Sequence, residues 1–505
     1  MINYEKYKPI FASNKLEDKF HSTGDECLNL FSQIGVLRAP FLTGPESLLE
    51  PDYERSTRSI KEVSDLFENA YYSDYKTTIK ILLYARDVRK GLGERTAIRF
   101  FLHDLCLIDP HKAAKVLPII ISLGRYDDAL SFLDTKVEND TVKLLKEQLL
   151  SDLSNLENAN KSVSLCAKWM PSINASNVTA RYYAKKLAKA FGWTYKVYRQ
   201  NLSKLRERIR IVENNLRKKD YTFDYGKIPS SSMFKYQKAF HRNDGERYKK
   251  YLEEATKNHT LNTSTLYPYE IVRRYITSIF KSAEKDKFDP YLEEAWKNFS
   301  TDLKLKNTLV VRDGSGSMIN PNFLPLAIST SMAILCSQAL EGCFKDKFLT
   351  FSSQAKIVDL SAQKTLLEKI SYCNKFSDIS NTNIENVFNF ILNYTILNKT
   401  SKKNQIENVL IISDMQFDVI DFDTKYLDVL KEKFAESNVT FPKLIFWNAN
   451  SIRDTFAATK QDNVILVSGA SKNVFDNIIN NINSEDPIEF MNKVLAPYDK
   501  YVENI

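Results

Sequence analysis

The spacing of apolar residues divides the chain into two parts near residue 305. In the first part, apolar residues recur three and four positions apart, which predicts amphipathic α-helices joined by short turns. Such a succession of helices favours an all-α helical-repeat (HEAT-like) module. The helices predicted from this period are residues 60–72, 75–88, 94–107, 110–122, 140–157, 177–191, 195–216, 268–281 and 291–303.

In the second part, short β-prone apolar runs alternate with amphipathic segments. This alternation favours an α/β fold with a mainly parallel, doubly wound (Rossmann-like) sheet covered by helices. The predicted strands are residues 308–312, 348–351, 356–360, 408–413, 443–447 and 464–468, and the predicted helices are residues 325–340, 384–397, 424–437 and 472–481. We therefore divide the chain into an N-terminal extension (1–55), a helical module (56–304) and an α/β domain (305–505).

The composition is that of a globular protein with more than one domain. The 505 residues are 43% hydrophobic and 27% charged, with no apolar run of membrane-spanning length and no signal-peptide pattern. We therefore expect a cytoplasmic protein without a membrane partner. Six cysteines form no C-x-x-C pair, which predicts reduced structural thiols. All five histidines precede residue 260, so the α/β domain could use histidine chemistry only if the first half of the chain supplied it.

Positive charge is concentrated in residues 181–250. This stretch holds 20 Lys and Arg against 6 Asp and Glu, a surplus of 14 positive charges, whereas the remainder of the chain carries a net charge of −6. A local surplus of this size indicates a surface that binds a polyanion, although a run of charge can equally be a solvated helix face. The candidate RNA contacts are Arg89, Lys90, Arg95, Lys168, Lys185, Lys196, Arg199, Lys204, Arg206, Arg208, Arg210, Lys235 and Arg242.

Aromatic residues and a glycine-bearing turn accompany these charges. Tyr195 and Tyr198 stand among the basic residues of 195–216 and could stack on unpaired bases. Gly91 and Gly93 favour a turn that ends one helix and starts the next. The basic residues on either side of these glycines could then contact a phosphate backbone.

A polar motif follows the first predicted strand of the α/β domain. Asp313, Ser315 and Ser317 alternate along the loop that leads into the next helix. Ligands usually bind where such a strand ends, and carboxylate and hydroxyl oxygens suit Mg²⁺, but the same residues also form ordinary helix-capping turns. Thr382 and Asp414 are expected at the same edge of the sheet, in a loop before a helix and directly after a strand. Three separate pieces meeting there favour an oxygen-only metal site.

These five residues resemble the metal-ion-dependent adhesion site (MIDAS) of von Willebrand factor A domains. The resemblance covers about residues 305–500 and fills every position of the motif. It implies that Ser315 and Ser317 ligate Mg²⁺ directly, that Thr382 does so directly or through water, and that the two aspartates act largely through water. The loop before Thr382 departs from the family, because Ser380 and Asn381 stand where two glycines are frequent.

Most of the chain beyond residue 55 also resembles a family of two-part proteins of unassigned function related to the Ro autoantigen (TROVE-like proteins). The resemblance rests on residues 91–95 (Gly-Leu-Gly-Glu-Arg), 168–172 (Lys-Trp-Met-Pro-Ser) and 413–418 (Ser-Asp-Met-Gln-Phe-Asp). It implies a helical ring closed by an A domain, in a ribonucleoprotein that binds structured or misfolded noncoding RNA.

We therefore expect an RNA-binding scaffold with a non-catalytic Mg²⁺ site rather than an enzyme. The alternative is a protein-interaction module, in which the ion captures an acidic residue of a partner. A metal-assisted nuclease is disfavoured, because an ion held by hydroxyls lacks the general base or second metal of hydrolytic sites.

Overall fold

Two compact units make up the chain in the computed structural model. The helical unit comprises Arg38–Leu266 and Pro497–Ile505, and the α/β unit comprises Met1–Leu37 and Tyr267–Ala496. The structure describes residues 22–37, 60–158, 160–263, 266–281, 288–299, 304–319, 322–351, 355–377, 384–400, 405–415, 424–450, 463–503 and 505.

The helical unit is a succession of amphipathic helices joined by short turns. Numbered along the chain after α1 (Glu26–Gln33), which belongs to the α/β unit, its helices are α2 (Ile60–Ser73), α3 (Tyr75–Arg86), α4 (Thr96–Ile108), α5 (Pro110–Leu123), α6 (Glu138–Asn155), α7 (Cys166–Trp169), α8 (Val178–Ala190), α9 (Tyr195–Ile209), α10 (Val212–Lys218), α11 (Ser230–Asn243) and α12 (Gly245–Asn258). The predicted helices of this region are confirmed, with one exception: residues 195–216 form two helices, because Arg210 takes a left-handed conformation (φ 53°) that ends α9.

The glycine-bearing turn between α3 and α4 folds back on the end of α3. The backbone N–H groups of Leu92 and Glu94 donate to the carbonyls of Tyr84 and Ala85, which would otherwise lack a helical partner. A Cβ at Gly91 would lie 1.8 Å from the Tyr84 carbonyl oxygen, so only glycine fits there. The interpretation of the glycines as an interhelical turn is confirmed.

A buried ion pair connects this part of the unit to the turn after α5. Arg86, at the end of α3, donates from Nε to Asp128 Oδ2 at 2.7 Å, and the two side chains are only 2% and 0% exposed. Arg99 of α4 reaches the other carboxylate oxygen of Asp128 at 3.0 Å. A Cβ at Gly124 would lie 2.5 Å from Asp128 Oδ2, so the glycine admits the carboxylate to this position.

The α/β unit contains a mixed six-stranded sheet. Its elements are α13 (Pro268–Lys281), α14 (Pro290–Lys297), β1 (Thr308–Asp313), α15 (Leu324–Ala339), β2 (Lys347–Phe351), β3 (Lys356–Asp359), α16 (Leu366–Asn374), α17 (Glu385–Leu397), β4 (Asn408–Ser413), α18 (Thr424–Glu436), β5 (Lys443–Asn448), β6 (Val464–Ser468), α19 (Lys472–Asn481) and α20 (Pro487–Leu495). The strand order is β3-β2-β1-β4-β5-β6, and only the β2–β3 pair is antiparallel. The predicted strands and helices of this region are confirmed.

Helix α15 and the central strands form the core of the α/β unit. Fourteen of the sixteen residues of α15 are buried, so the helix has apolar neighbours on nearly every side. It packs on β1, β2 and β4 and also on α13, and Phe280 of α13 stacks on Phe323 with the ring centroids 5.0 Å apart. The strand β1 is buried at all six positions.

The compact units do not follow the boundaries drawn from the sequence. Helices α13 and α14 were assigned to the helical module, but Glu293 of α14 accepts hydrogen bonds from the backbone N–H groups of Leu366 and Leu367 and so caps α16 of the α/β unit. Helix α1 packs on β6 and α20, and the Gly35 N–H donates to Ser468 Oγ. Periodicity shows that a helix has an apolar face but not which neighbour covers that face.

The last residues of the chain were assigned to the α/β domain but pack in the helical unit. They form α21 (Asp499–Val502), and Lys80 of α3 pairs with Asp499 at 2.9 Å. The Tyr498 hydroxyl donates to Asp87 Oδ2 at 3.1 Å, while the other oxygen of Asp87 accepts the backbone N–H groups of Arg89 and Lys90. The C-terminal segment therefore stabilises the turn after α3.

All six cysteines are free thiols, as predicted, and five of them are buried. Among the described residues, no helix is both long and apolar enough to cross a bilayer.

Replacing Asp128 with Asn should destabilise the helical unit by about 3–5 kcal/mol, because Arg86 loses its buried counter-charge. Chemical unfolding of the whole chain, followed by circular dichroism, measures the loss. Asp224→Asn makes the same change at an exposed pair with Lys227 and should cost less than about 1 kcal/mol. Equal losses in the two variants would contradict the importance of the buried pair.

Candidate metal site and nucleic-acid interface

Two of the predicted metal ligands lie at the carboxyl ends of adjacent parallel strands. Asp313 is the last residue of β1, and Asp414 directly follows β4. The two strands pair in register, with Arg312 opposite Ile412, and the strand order reverses between them. Ligands of open α/β sheets bind at this switch point. The side chains of Asp313 and Asp414 are 0% and 4% exposed.

Hydrogen bonds fix the loop that follows β1. Asp313 Oδ1 accepts the Ser315 N–H at 2.9 Å, and its Oδ2 accepts the Ser413 hydroxyl at 2.6 Å. The hydroxyl oxygens of Ser315 and Ser317 lie 3.0 Å apart. The Asp313 carboxylate thus shapes the loop and ties β1 to β4, while the two serine hydroxyls come together next to it.

The serine hydroxyls fit two neighbouring positions around Mg²⁺. Adjacent ligands of an octahedral Mg²⁺, with bonds of about 2.1 Å, are about 3.0 Å apart. The observed separation of Ser315 Oγ and Ser317 Oγ is 3.0 Å, and at this distance the two hydroxyls form a hydrogen bond with each other. Both oxygens of Asp313 already accept hydrogen bonds within the protein, which suits a carboxylate that meets the ion through water. The chemistry of the donors therefore fits a hard divalent cation.

The environment of Asp313 also favours a cation. Burial raises the pKa of Asp313 above its ordinary value, whereas hydrogen bonds from Ser413 and Ser315 and the charge of Arg312 act in the opposite direction. A carboxylate that has lost most of its water gains more from a nearby positive ion than an exposed one does. A bound divalent cation would therefore stabilise the ionised form of Asp313.

A fully buried arginine precedes Asp313 in β1. Arg312 donates from Nε to Thr330 Oγ1 at 3.1 Å and from Nη1 to the Cys373 carbonyl at 3.2 Å. Its Nη2 donates to Ser377 Oγ at 3.0 Å. Burial lowers the pKa of Arg312. Arg312 therefore holds Ser377, the last described residue before position 378. Thr382 itself, the fifth predicted ligand, lies outside the described residues.

The helical unit contains a groove of about 1200 Å³ beside α9 and α10. Seven cations line it, against four carboxylates: Lys168, Arg199, Arg206, Arg210, Arg217, Lys218 and Lys227, with Glu207, Glu213, Asp220 and Asp224. The ion pairs of Lys218 with Glu207 (3.6 Å) and of Lys227 with Asp224 (3.8 Å) are exposed and so contribute little to stability. The groove keeps a surplus of three positive charges.

The thirteen candidate RNA contacts do not form one surface. Four of them line the groove: Lys168, Arg199, Arg206 and Arg210. Six lie outside its lining and are exposed on α8, α9 and α11: Lys185, Lys196, Lys204, Arg208, Lys235 and Arg242. The remaining three, Arg89, Lys90 and Arg95, are exposed in the turn between α3 and α4. Arg217, Lys218 and Lys227 also line the groove but were not among the predicted RNA contacts. Their place in the groove depends on the bend at Arg210.

Arg206 has a structural task that its charge did not suggest. Its guanidinium donates to the carbonyls of Ala167 at 2.8 Å and Met170 at 2.6 Å, and to Ser172 Oγ at 2.9 Å. Tyr198 is fully buried, and its hydroxyl donates to the Pro171 carbonyl at 3.0 Å. Helix α9 thus clamps residues 166–172. The expectation that Tyr198 could stack on a base is wrong, because the ring is inside the core, whereas Tyr195 is 50% exposed.

The structure also brings together three sequence motifs that are far apart in the chain. Arg99 of α4 pairs with Asp127 at 2.6 Å, and Arg125 pairs with the same carboxylate at 2.8 Å. The Arg125 guanidinium lies 3.9 Å from the ring centroid of Trp169. The sequence reasoning treated residues 124–128 as another interhelical turn and missed this contact. The sequence did contain a signal for such a contact, namely two adjacent aspartates, Asp127 and Asp128, close to Arg125.

Replacing Arg206 with Lys should destabilise the helical unit by about 2–3 kcal/mol, because an ammonium group cannot reproduce the planar fork that binds three acceptors. Arg199→Lys, in the same helix but exposed, should change the unfolding free energy by less than about 0.5 kcal/mol. Chemical unfolding of both variants makes the comparison. Similar stabilities would show that the clamp is dispensable.

Two stretches of the chain are similar to family models whose function is unassigned. Residues 137–309 match a family model described as a domain of unknown function (DUF2828), and residues 307–498 match a second one (DUF7788). The chain is also similar to uncharacterized protein L728 of Acanthamoeba polyphaga mimivirus, with 27% identity over 493 residues that cover 88% of this chain and 84% of the viral protein. The junction of the two matched regions falls at the start of β1, where the hydrophobic pattern changes.

Proposed function

We propose that this protein is an RNA-binding scaffold whose helical unit holds single-stranded RNA in the groove beside α9 and α10. The observation that carries the proposal is the surplus of cations along the groove, seven against four carboxylates. Phosphate contacts from Lys and Arg supply most of the sequence-independent affinity for nucleic acid. Most of the groove lining, including six of its seven cations, belongs to residues 181–250, where positive charge is concentrated.

The shape and lining of the groove favour a flexible strand over a duplex. Its cations are spread over α7, α9, α10 and the segment after α10, and so do not form the straight row that a rigid helix face would give. Phe223, which is half-buried and packs against Tyr225 and Phe240, also lines the groove and adds an aromatic ring to its wall. Stacking on an aromatic ring combined with a basic wall is the usual way in which proteins hold single strands without strong sequence preference.

For the α/β unit we propose the identity expected from its sequence, a von Willebrand factor A domain with a Mg²⁺ site of the MIDAS type. The support is the alternation of Asp313, Ser315 and Ser317 at a switch point, with Asp414 at the adjacent strand end. Together with the helical unit, this supports a TROVE-like protein, and hence a ribonucleoprotein.

The metal site would act as a binding site rather than a catalytic one. Asp313, Ser315, Ser317 and Asp414 would hold the ion at the edge of the sheet, and the ion would supply a positive charge that attracts an oxygen of a ligand. No histidine follows residue 259, so the sequence from β1 onwards, which carries the proposed ligands, supplies no imidazole as a general base. The second candidate function is capture of an acidic side chain of a partner protein, favoured by the 3.0 Å spacing of two hydroxyls that suits Mg²⁺.

Reversing two exposed charges of the groove should weaken RNA binding. In Arg199→Glu/Arg217→Glu, the affinity for a single-stranded oligonucleotide should fall at least about tenfold at 0.1 M salt, and the slope of log K against log salt should decrease by about 1.4, since each phosphate contact contributes about 0.7. Fluorescence anisotropy measures both quantities. Lys143→Glu/Lys161→Glu, equally exposed but away from the groove, is the control. Equal losses in both double variants would contradict the groove as the binding site.

Replacing Asp414 with Asn, or Ser315 with Ala, should weaken Mg²⁺ binding at least about tenfold, because a charge or a direct ligand is removed from an oxygen-only site. Isothermal titration with Mg²⁺, and with Mn²⁺ as a second probe, measures the change. Asp359→Asn alters an exposed carboxylate at the edge strand β3 and should leave the titration unchanged. Identical titrations for all variants would exclude the proposed ligands.

A further inference from the structure

The loop between β1 and α15 ends in a backbone conformation that is rare for one of its residues. Asn322 has φ 48° and Phe323 has φ 60°, so two successive residues are left-handed. Asparagine tolerates this region, but a bulky aromatic residue there is an outlier, because its Cβ comes too close to the following carbonyl oxygen. Such a conformation persists only where the surrounding structure holds it in place.

Helix α15 contacts this loop at both of its ends. At the far end, the Phe323 N–H donates to the Ile319 carbonyl at 2.7 Å, and the Phe323 carbonyl accepts the Ala327 N–H at 2.9 Å. At the near end, the Ser329 hydroxyl donates to the Asp313 carbonyl at 3.0 Å. Phe323 is therefore the residue at which the loop joins the helix, and the path of the loop depends on its conformation.

The same loop carries the two hydroxyls of the candidate metal site. The Met318 N–H donates to the Ser315 carbonyl at 3.2 Å, and the Ile319 carbonyl, which Phe323 binds, lies two residues after Ser317. These hydrogen bonds connect the left-handed residues to the turn in which the hydroxyls come together. A change in the backbone at Phe323 would therefore alter the position of Ser317.

Helix α13 supplies contacts that hold the left-handed residues. Arg273 donates from Nε to the Asn322 carbonyl at 3.0 Å. The Phe280 ring stacks on Phe323, with the ring centroids 5.0 Å apart and an interplanar angle of 19°. Arg273 and Phe280 are seven positions apart and so lie on one face of the helix. A hydrogen bond from a charged donor and an aromatic stack both stabilise this arrangement, and they offset the unfavourable backbone of Phe323.

Helix α13 is itself fixed in the core of the α/β unit. Val272 is fully buried, and the helix packs along α15. The Tyr275 hydroxyl donates to Glu293 Oε1 at 3.0 Å, and Glu293 caps α16. Arg273 is half-buried and Phe280 is 49% exposed, so both can be replaced without opening this core.

We propose that Arg273 and Phe280 are positioning residues of the candidate metal site. By holding residues 322–323 in the left-handed conformation, they keep the Ser315 and Ser317 hydroxyls at the spacing that suits Mg²⁺. Ligands ordered in advance bind an ion more tightly, because their conformational entropy is lost on folding and not on binding. This inference rests on the metal site proposed above for the α/β unit.

The test measures the affinity of the whole chain for Mg²⁺ and Mn²⁺ by isothermal titration, below the unfolding temperature of each variant. In Arg273→Gln/Phe280→Leu, the Kd of both ions should rise at least about fivefold, because the hydroxyls are no longer ordered before binding. Loss of a positive charge would by itself strengthen cation binding, so charge cannot account for a weaker affinity. Phe280→Tyr keeps the ring and should bind as wild type does. Lys306→Gln, which removes a charge from an exposed pair with Glu341, should also bind as wild type does.

Hydrogen exchange of the metal-free protein is the second measurement. The Phe323 N–H should exchange faster in Arg273→Gln/Phe280→Leu, because the contacts that hold its hydrogen bond to Ile319 are lost. The Ile411 N–H of the buried strand β4 is the control and should exchange as in wild type, which shows that the unit is still folded.

The outcomes separate this inference from the proposed metal site. If the double variant binds both ions as tightly as wild type, Arg273 and Phe280 serve only the fold; the inference is overturned and the metal site stands. If the affinity falls while exchange at Phe323 is unchanged, the inference is also overturned, since the loop is not the cause. If wild type binds neither ion, the metal site fails and the positioning role fails with it. Weaker binding together with faster exchange at Phe323 supports the inference.

Discussion

The buried ion pair between Arg86 and Asp128 determines how the helical unit is built. Arg86 ends α3, Asp128 follows α5, and each side chain is almost completely removed from water. A buried charge is tolerated only with a partner at close range, so the pair fixes the distance between the two turns. Gly124 makes room for the carboxylate, and Asp128 also receives Arg99. The turn that holds Arg125 against Trp169 therefore depends on this pair.

The basic residues of the helical unit divide into those that build it and those that remain for a ligand. Arg86 and Arg206 bind groups of the fold, one a carboxylate and the other two carbonyls and a hydroxyl, although Arg206 still contributes its charge to the groove. Arg199 and Arg217 are exposed at the groove. This division explains why a count of charges overstates the binding surface. It also explains why charge reversals at Arg206 would be misleading, because loss of binding would follow from loss of the clamp.

In the α/β unit, hydrogen bonds of buried polar side chains within an apolar core position the candidate metal site. The central strands are buried along their length, yet Arg312 and Asp313 lie side by side in β1. Because successive residues of a strand point to opposite faces, the two charges act in different places. Arg312 reaches Thr330 and the segment 373–377, while Asp313 binds Ser413 and the backbone of Ser315. One strand thereby positions two loops.

The sequence by itself determined the elements and the order in which they occur, because periodicity of 3.6 or of alternating β and α segments is a local property. It also predicted that Asp313 and Asp414 share one edge, since parallel strands end on the same side. Only the tertiary structure decided which helices belong to which unit, because the sequence of an apolar face does not show which element will cover it. The roles of Arg206 and Tyr198 were also decided by the tertiary structure. Both residue types are common on binding surfaces, but here their neighbours hold them in contacts that stabilise the fold. The contact between Arg125 and Trp169 likewise exists only after folding, since it depends on the path of the chain between them.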